Sequence, residues 1–165
     1  MKTEIRRAGR APQQKFIFVL SAVVILALGL PAKSLAVLGG SEASVQTDLV
    51  HMQASLIRTN AGQYTVHELH APTGTVVREY VAGGTVFAVA WKGPWPPDLQ
   101  QLLGSYFDSF QQARQTQSGS RPGRRPIHVD LPGLVVNLAG HPRSFTGQAY
   151  VPAMLPQGMS AKEIR

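Results

Sequence analysis

Residues 64–91 constrain the fold of this chain most, because three strand-like runs follow one another there with turn chemistry between them. Residues 64–70, 75–81 and 85–91 are rich in Val, Thr, Tyr, Phe and Trp, the residues that suit a pleated surface. Ala71-Pro72-Thr73-Gly74 separates the first two, with proline and glycine where a type I turn favours them. Gly83-Gly84 separates the second and third and supplies positive φ without a Cβ clash. The pattern predicts a three-stranded antiparallel meander.

The run that follows changes period. Leu99, Leu102, Leu103, Tyr106, Phe107, Phe110 and Ala113 recur at spacings of three and four. Gln100, Gln101, Ser105, Asp108, Gln111 and Gln112 fill the opposite face, so the segment reads as an amphipathic helix with an aromatic-rich stripe. Pro96-Pro97-Asp98 makes a good helix start. A shorter helix is predicted over 41–53, from Val45, Leu49 and Met52, with Ser41 or Ser44 as N-cap. An extended path from His51 onward is the alternative. Residues 115–126 are polar, basic and punctuated by Gly and Pro, and read as a flexible loop. Residues 127–131, 134–139 and 145–151 read as further strands. Ser160 to Glu163 has capping-box spacing. The order of elements predicts an α+β fold: an antiparallel β-meander, one main amphipathic helix packed on the sheet, and further C-terminal β-strands.

The first 36 residues stand apart from that fold. Lys2, Arg6, Arg7, Arg10 and Lys15 precede an apolar run over 16–30, Pro31 breaks it, and Ser34-Leu35-Ala36 has the small-x-small form of a cleavage site. This is the secretory signal layout. The apolar run is shorter than the ~20 residues of a spanning helix. Ala8-Gly9-Arg10 lacks the bulky residues expected after the paired arginines of a twin-arginine signal, so the general secretory route is expected. The expected mature domain is residues 37–165, periplasmic or extracellular, touching the membrane only through the transient leader.

Composition narrows the function classes once the leader is set aside. The whole chain has 16 Lys plus Arg against 9 Asp plus Glu. Six of the bases and one of the acids lie before residue 37, so the mature domain is close to neutral and its charge does not point to nucleic acid. The chain has no cysteine, so an exported domain of this size must stand on its core and not on disulfides.

Candidate chemistry is sparse. His67 and His70 are three apart on an expected strand, so they point to opposite faces and make no metal pair. No glycine-rich loop has nucleotide-site spacing, and no cofactor is called for. His128 and Asp130 share a strand face, but no serine elbow or cysteine stands ready to complete a hydrolase relay. If His70 pairs with Thr75 across the first turn, Glu68 and Glu79 share one sheet face with Tyr64, Val66, Val77, Phe87, Val89 and Trp91. His67, Arg78 and Tyr80 then lie on the other. A carboxylate among apolar side chains is costly unless paired, and burial would raise its pKa toward general-acid use. Glu68, Glu79 and His70 are therefore the catalytic candidates of an alternative, hydrolase-like reading. The whole face argument depends on register, since a one-residue slip reverses it. Trp91 and Trp95, with Pro94, Pro96 and Pro97, either pack the helix end onto the sheet or form a binding ledge. Trp91, Trp95, Tyr80 and Arg78 are the binding candidates. Arg121, Arg124 and Arg125 offer a third reading, contact with an anionic surface.

Several phrases carry a resemblance. They are Leu38-Gly39-Gly40, the run Ala71-Pro72-Thr73-Gly74-Thr75-Val76-Val77-Arg78-Glu79-Tyr80-Val81, Val86-Phe87-Ala88-Val89-Ala90-Trp91, Asp98-Leu99-Gln100-Gln101-Leu102-Leu103-Gly104 and Met154-Leu155-Pro156-Gln157-Gly158. Together they resemble the bacterial family called domain of unknown function 2844. That resemblance implies a short exported protein of Gram-negative bacteria and assigns no activity, cofactor or catalytic residue. The expected function is a non-catalytic binding or accessory module of the cell envelope. Its expected counterpart is another exported envelope protein or a small ligand.

Overall fold

The computed structural model describes residues 38–117 and 126–165. The expected leader and the arginines at 121, 124 and 125 lie outside the described residues. One antiparallel sheet of seven strands organises the fold. Its strands are β1 (Ser55–Asn60), β2 (Thr65–His70), β3 (Val76–Ala82), β4 (Thr85–Gly93), β5 (Ile127–Leu131), β6 (Leu134–His141) and β7 (Ser144–Tyr150). The spatial order is β1-β2-β3-β4-β7-β6-β5. Two meanders of sequence neighbours thus meet along a single long-range seam, β4 against β7.

The helices are α1 (Ser44–His51), α2 (Leu99–Leu103) and α3 (Phe107–Gln117), with a 3-10 turn at Gly104–Tyr106 joining the last two. The main amphipathic helix is therefore present but broken. Gly104 adopts φ 48°, a conformation closed to most side chains, and the break lets the chain redirect while Leu102, Leu103 and Phe110 stay buried. Asp98 is the N-cap of α2, its carboxylate accepting from the backbone N–H groups of Gln100 and Gln101. Neither Ser41 nor Ser44 caps α1; the Ser44 hydroxyl donates to the Ser41 carbonyl at 2.6 Å. Ser160 and Glu163 do form the expected capping box, heading a 3-10 turn at Ala161–Glu163.

The helices lie on one sheet face. Leu69, Val77, Val89, Trp91, Val129, Val136 and Ala149 pack there against Leu102, Leu103, Phe110 and Val45. A second, smaller cluster of Tyr80, Phe87, Ala88, Ala90 and Ile164 sits on the opposite face. Phe87 reaches it because the register shifts beside Tyr80 and Val81, which puts two successive β4 residues, Phe87 and Ala88, on one side.

The first hairpin corrects the expected register. His70 pairs with Val76 and not with Thr75, so its loop holds five residues, closed by the Ala71 N–H donating to the Thr75 carbonyl at 2.9 Å. Glu68 consequently lies opposite Arg78, and Glu79 opposite His67 and Val89. Glu68 and Glu79 occupy opposite faces of the sheet, and Arg78 and Tyr80 join Glu68.

Candidate functional site

The register builds the site on the face without helices. One row of cross-strand partners runs Ile57, Glu68, Arg78, Ala90, Gln148, Asn137, His128 across all seven strands. Directly opposed residues share a face with their Cβ atoms about 5 Å apart, so this row is a continuous strip. Apart from Ala90 at mid-row, each member lines a groove of about 970 Å³. The small Ala90 side chain keeps the middle low. A neighbouring row holds Lys92 and Thr146, which also line the groove.

The next row on the other side is closed. Val66, Tyr80, Ala88 and Tyr150 pack there with Tyr64, Phe87, Leu155, Met159 and Ile164. The chain after β7 folds back over these residues and places Ile164 at 1% exposure. The Tyr80 hydroxyl fastens this segment, donating to the Arg165 carbonyl and accepting from the Arg165 N–H, each at 3.0 Å. Arg78 Nη1 donates to the same carbonyl at 2.9 Å. The open face is thus half sealed by apolar packing and half left as a polar groove.

Charge in the groove is partly neutralised. Arg78 Nε donates to Glu68 Oε2 at 2.5 Å, and His70 Nε2 meets Glu68 Oε1 at 2.6 Å. Burial opposes ionisation of Glu68, but the bonds from Arg78 and His70 outweigh it and hold the carboxyl below its ordinary value. At the other end His128 Nδ1 and Asn137 Oδ1 are 2.6 Å apart. Among the described residues, the side chains of Lys92, Gln148 and Thr146 make no hydrogen bond. The groove therefore presents unused donors, one of them cationic, beside a carboxylate whose oxygens are both engaged.

The helix-covered face holds the other acid. Glu79 is 1% exposed, and Asp48 of α1 is buried against it at 1%. The two carboxyls are neighbours under α1, and Gln101 Nε2 donates to Asp48 Oδ1. Burial and the neighbouring Asp48 carboxyl push Glu79 up to about 9. Burial raises Asp48 as well. His67, the cross-strand partner of Glu79, is buried and meets Glu42 Oε1 through Nε2 at 3.1 Å. Burial lowers its pKa, with Arg58 adding to the effect and Glu42 opposing it.

The sequence candidates are thus divided by the sheet. Arg78, Tyr80, Glu68 and His70 gather on or beside the groove, whereas Glu79 is sealed under the helices and cannot meet a substrate held by Glu68. Trp91 is 4% exposed in the helix-side core and only borders the groove. Trp95 is 61% exposed and away from it, held through its carbonyl by the Thr75 hydroxyl at 2.8 Å. The two tryptophans form no common ledge. Gln148, Asn137, Lys92 and Thr146 were not among the sequence candidates, although the alternation along β6 and β7 puts Asn137, Thr146 and Gln148 on one face. Among the described residues no group of three or more His, Asp or Glu could hold a metal ion, and no helix is long and apolar enough to cross a membrane.

Over residues 34–164 the sequence matches the family described as Protein of unknown function (DUF2844). The chain belongs to this family. No curated protein and no solved structure matches it. The DUF2844 region takes in every strand and helix described above, so the groove and the buried acid pair both belong to the family's domain.

Proposed function

We propose that residues 37–165 act as an exported, non-catalytic binding module that takes a small, oxygen-rich anionic ligand in the polar groove of the open sheet face. The observation that carries this reading is the row from Glu68 to His128 with its neighbours Lys92 and Thr146. The row's one carboxylate, Glu68, is engaged by Arg78 and His70, the second carboxylate lining the groove, Glu163, accepts from the Ser160 N–H, and among the described residues the donors of Lys92, Gln148 and Thr146 bond no protein group. Donors in a concave site, one of them cationic, favour a ligand bearing carboxylates, which accept from them without importing competing donors. Export is supported by the basic, apolar, small-x-small order of residues 1–36.

Titration calorimetry with citrate and with an oligomer of galacturonic acid, beside a neutral glucose oligomer, tests the ligand class. The acidic probes should bind and the neutral one should not. Lys92→Ala and Gln148→Ala should each weaken binding about tenfold, the loss expected for about 1.4 kcal/mol of charge-assisted hydrogen bonding. Trp95→Ala should leave it unchanged. Binding indifferent to Lys92→Ala, or no binding of any acidic probe, would overturn the assignment. Export is tested separately by the mass of the protein recovered from the envelope fraction, which should begin near Val37; an intact Met1 on cytosolic protein refutes it.

A further inference from the structure

The helix-covered face carries a feature that ligand binding does not use. Asp48 and Glu79 come from elements far apart in sequence, and each is 1% exposed. Asp48 Oδ2 and both Glu79 oxygens are buried with no hydrogen-bond partner, and Gln101 Nε2 is already committed to Asp48 Oδ1. Two ionised carboxylates in contact would face each other as acceptors only, with no cation to balance them. One proton converts that repulsion into a bond.

We propose that Asp48 and Glu79 share a single proton that latches α1 to β3, and that losing this proton in alkaline conditions frees α1 from the sheet.

Among the described residues no cationic side chain is hydrogen-bonded or ion-paired to either carboxyl. From α1 itself, His51 favours the Asp48 charge, and from the N-cap of α2, Asp98 opposes it. Gln101 of α2 contributes a neutral donor. From β2, His67 faces Glu79 but is tied to Glu42, and its pKa is lowered by burial. From β4 the facing residue is Val89. From β1, Arg58 is paired with Glu42 at 2.6 Å. Among the described residues, then, no cation bonds the pair, and a proton between the two carboxyls takes that place.

The sign of the pH effect follows from Glu79, raised in the fold from 4.5 to about 9. The folded protein holds a proton that the unfolded chain releases. The stability contributed by this proton is full below about pH 4.5, falls as pH rises, and levels off once pH has passed about 9. One retained proton makes the folding constant fall about tenfold per pH unit across that window. Both groups titrate as a pair, so the midpoint belongs to the pair.

Denaturant unfolding of the purified protein between pH 5 and 10 should show this fall, and Glu79→Gln, whose amide can donate to Asp48 permanently, should flatten it. Hydrogen exchange at pH 9.5 should show α1 less protected in the wild type than in Glu79→Gln. Infrared spectra of the wild type at pH 7 should contain the carbonyl band of a protonated carboxyl that disappears by pH 10. This last measurement decides the matter even if the variant fails to fold. A pH-independent wild type, a missing carboxyl band, or unchanged α1 protection would overturn the latch. So would a rise in melting temperature with calcium that Glu79→Gln abolishes, because the pair would then hold a cation and not a proton.

Discussion

Glu68 and Glu79 lie on neighbouring strands of one sheet and have opposite fates. On the open face, Glu68 gains Arg78 and His70 and is held ionised below its ordinary pKa. On the covered face, Glu79 meets the Asp48 carboxyl under a helix and has its pKa raised. Neither outcome comes from the residue type. Each follows from which face the register assigns, and that assignment rests on a loop of five residues instead of four. The comparison separates a surface adapted to meet an outside molecule from one adapted to hold the fold.

The largest effect should come from breaking the covered face. Leu103 is fully buried between helix and sheet, and Leu103→Asp should cost more than about 4 kcal/mol, because it removes a packed side chain and buries an unpaired charge. Loss of soluble expression checks it, with exposed Gln100→Asp as the tolerated control. Ile164→Ala comes next, at about 2–4 kcal/mol, since it opens a cavity beneath the segment that seals half of the other face. Its melting point should drop, and because Ile164 also lines the groove, citrate affinity should fall with it, which would show that the sealed half shapes the groove. Gly147→Ala should cost about 1–3 kcal/mol, because a Cβ there would enter the ring of its cross-strand partner Trp91; thermal unfolding reads it. The smallest effect belongs to Glu68→Gln, below about 1 kcal/mol at neutral pH for so accessible a pair. Glu68 is lowered from 4.5, so its contribution is present above that pH and lost as pH falls through its folded value. The variant should therefore flatten the acid limb of the stability profile, as Glu79→Gln flattens the alkaline one.

Much of the covered face was legible in the sequence. The Leu99–Ala113 stripe and the strand-rich runs carry their own periods, and the α+β order of elements follows from them. The helix break is marked by Gly104 but was not read from it, since a glycine inside a stripe does not disclose its φ. The first strand, β1, escaped because Ser55–Asn60 is exposed at every position and so shows no alternation of apolar and polar residues. Register was the decisive failure. Pro72 and Gly74 announce a turn without fixing whether four or five residues form it. The partner of Glu79 had a visible signal: Asp48 falls on the same helical stripe as Val45, Leu49 and Met52, where an acid is out of place. Its meeting with Glu79 depends on how α1 lies on the sheet, which no local pattern encodes.

The seam between β4 and β7 has a kinetic consequence. The strands β1 to β4 can pair by successive hairpins, and so can β5 to β7, each closing a short loop. The seam joins residues separated by roughly fifty positions, such as Gly93 with Phe145, and gives no return until that long excursion has been closed. Trp91 and Gly147, paired within it, form the contact that welds two locally assembled halves into one cooperative unit. The rate at which the chain reaches its native state is expected to be governed there, well away from both carboxylates.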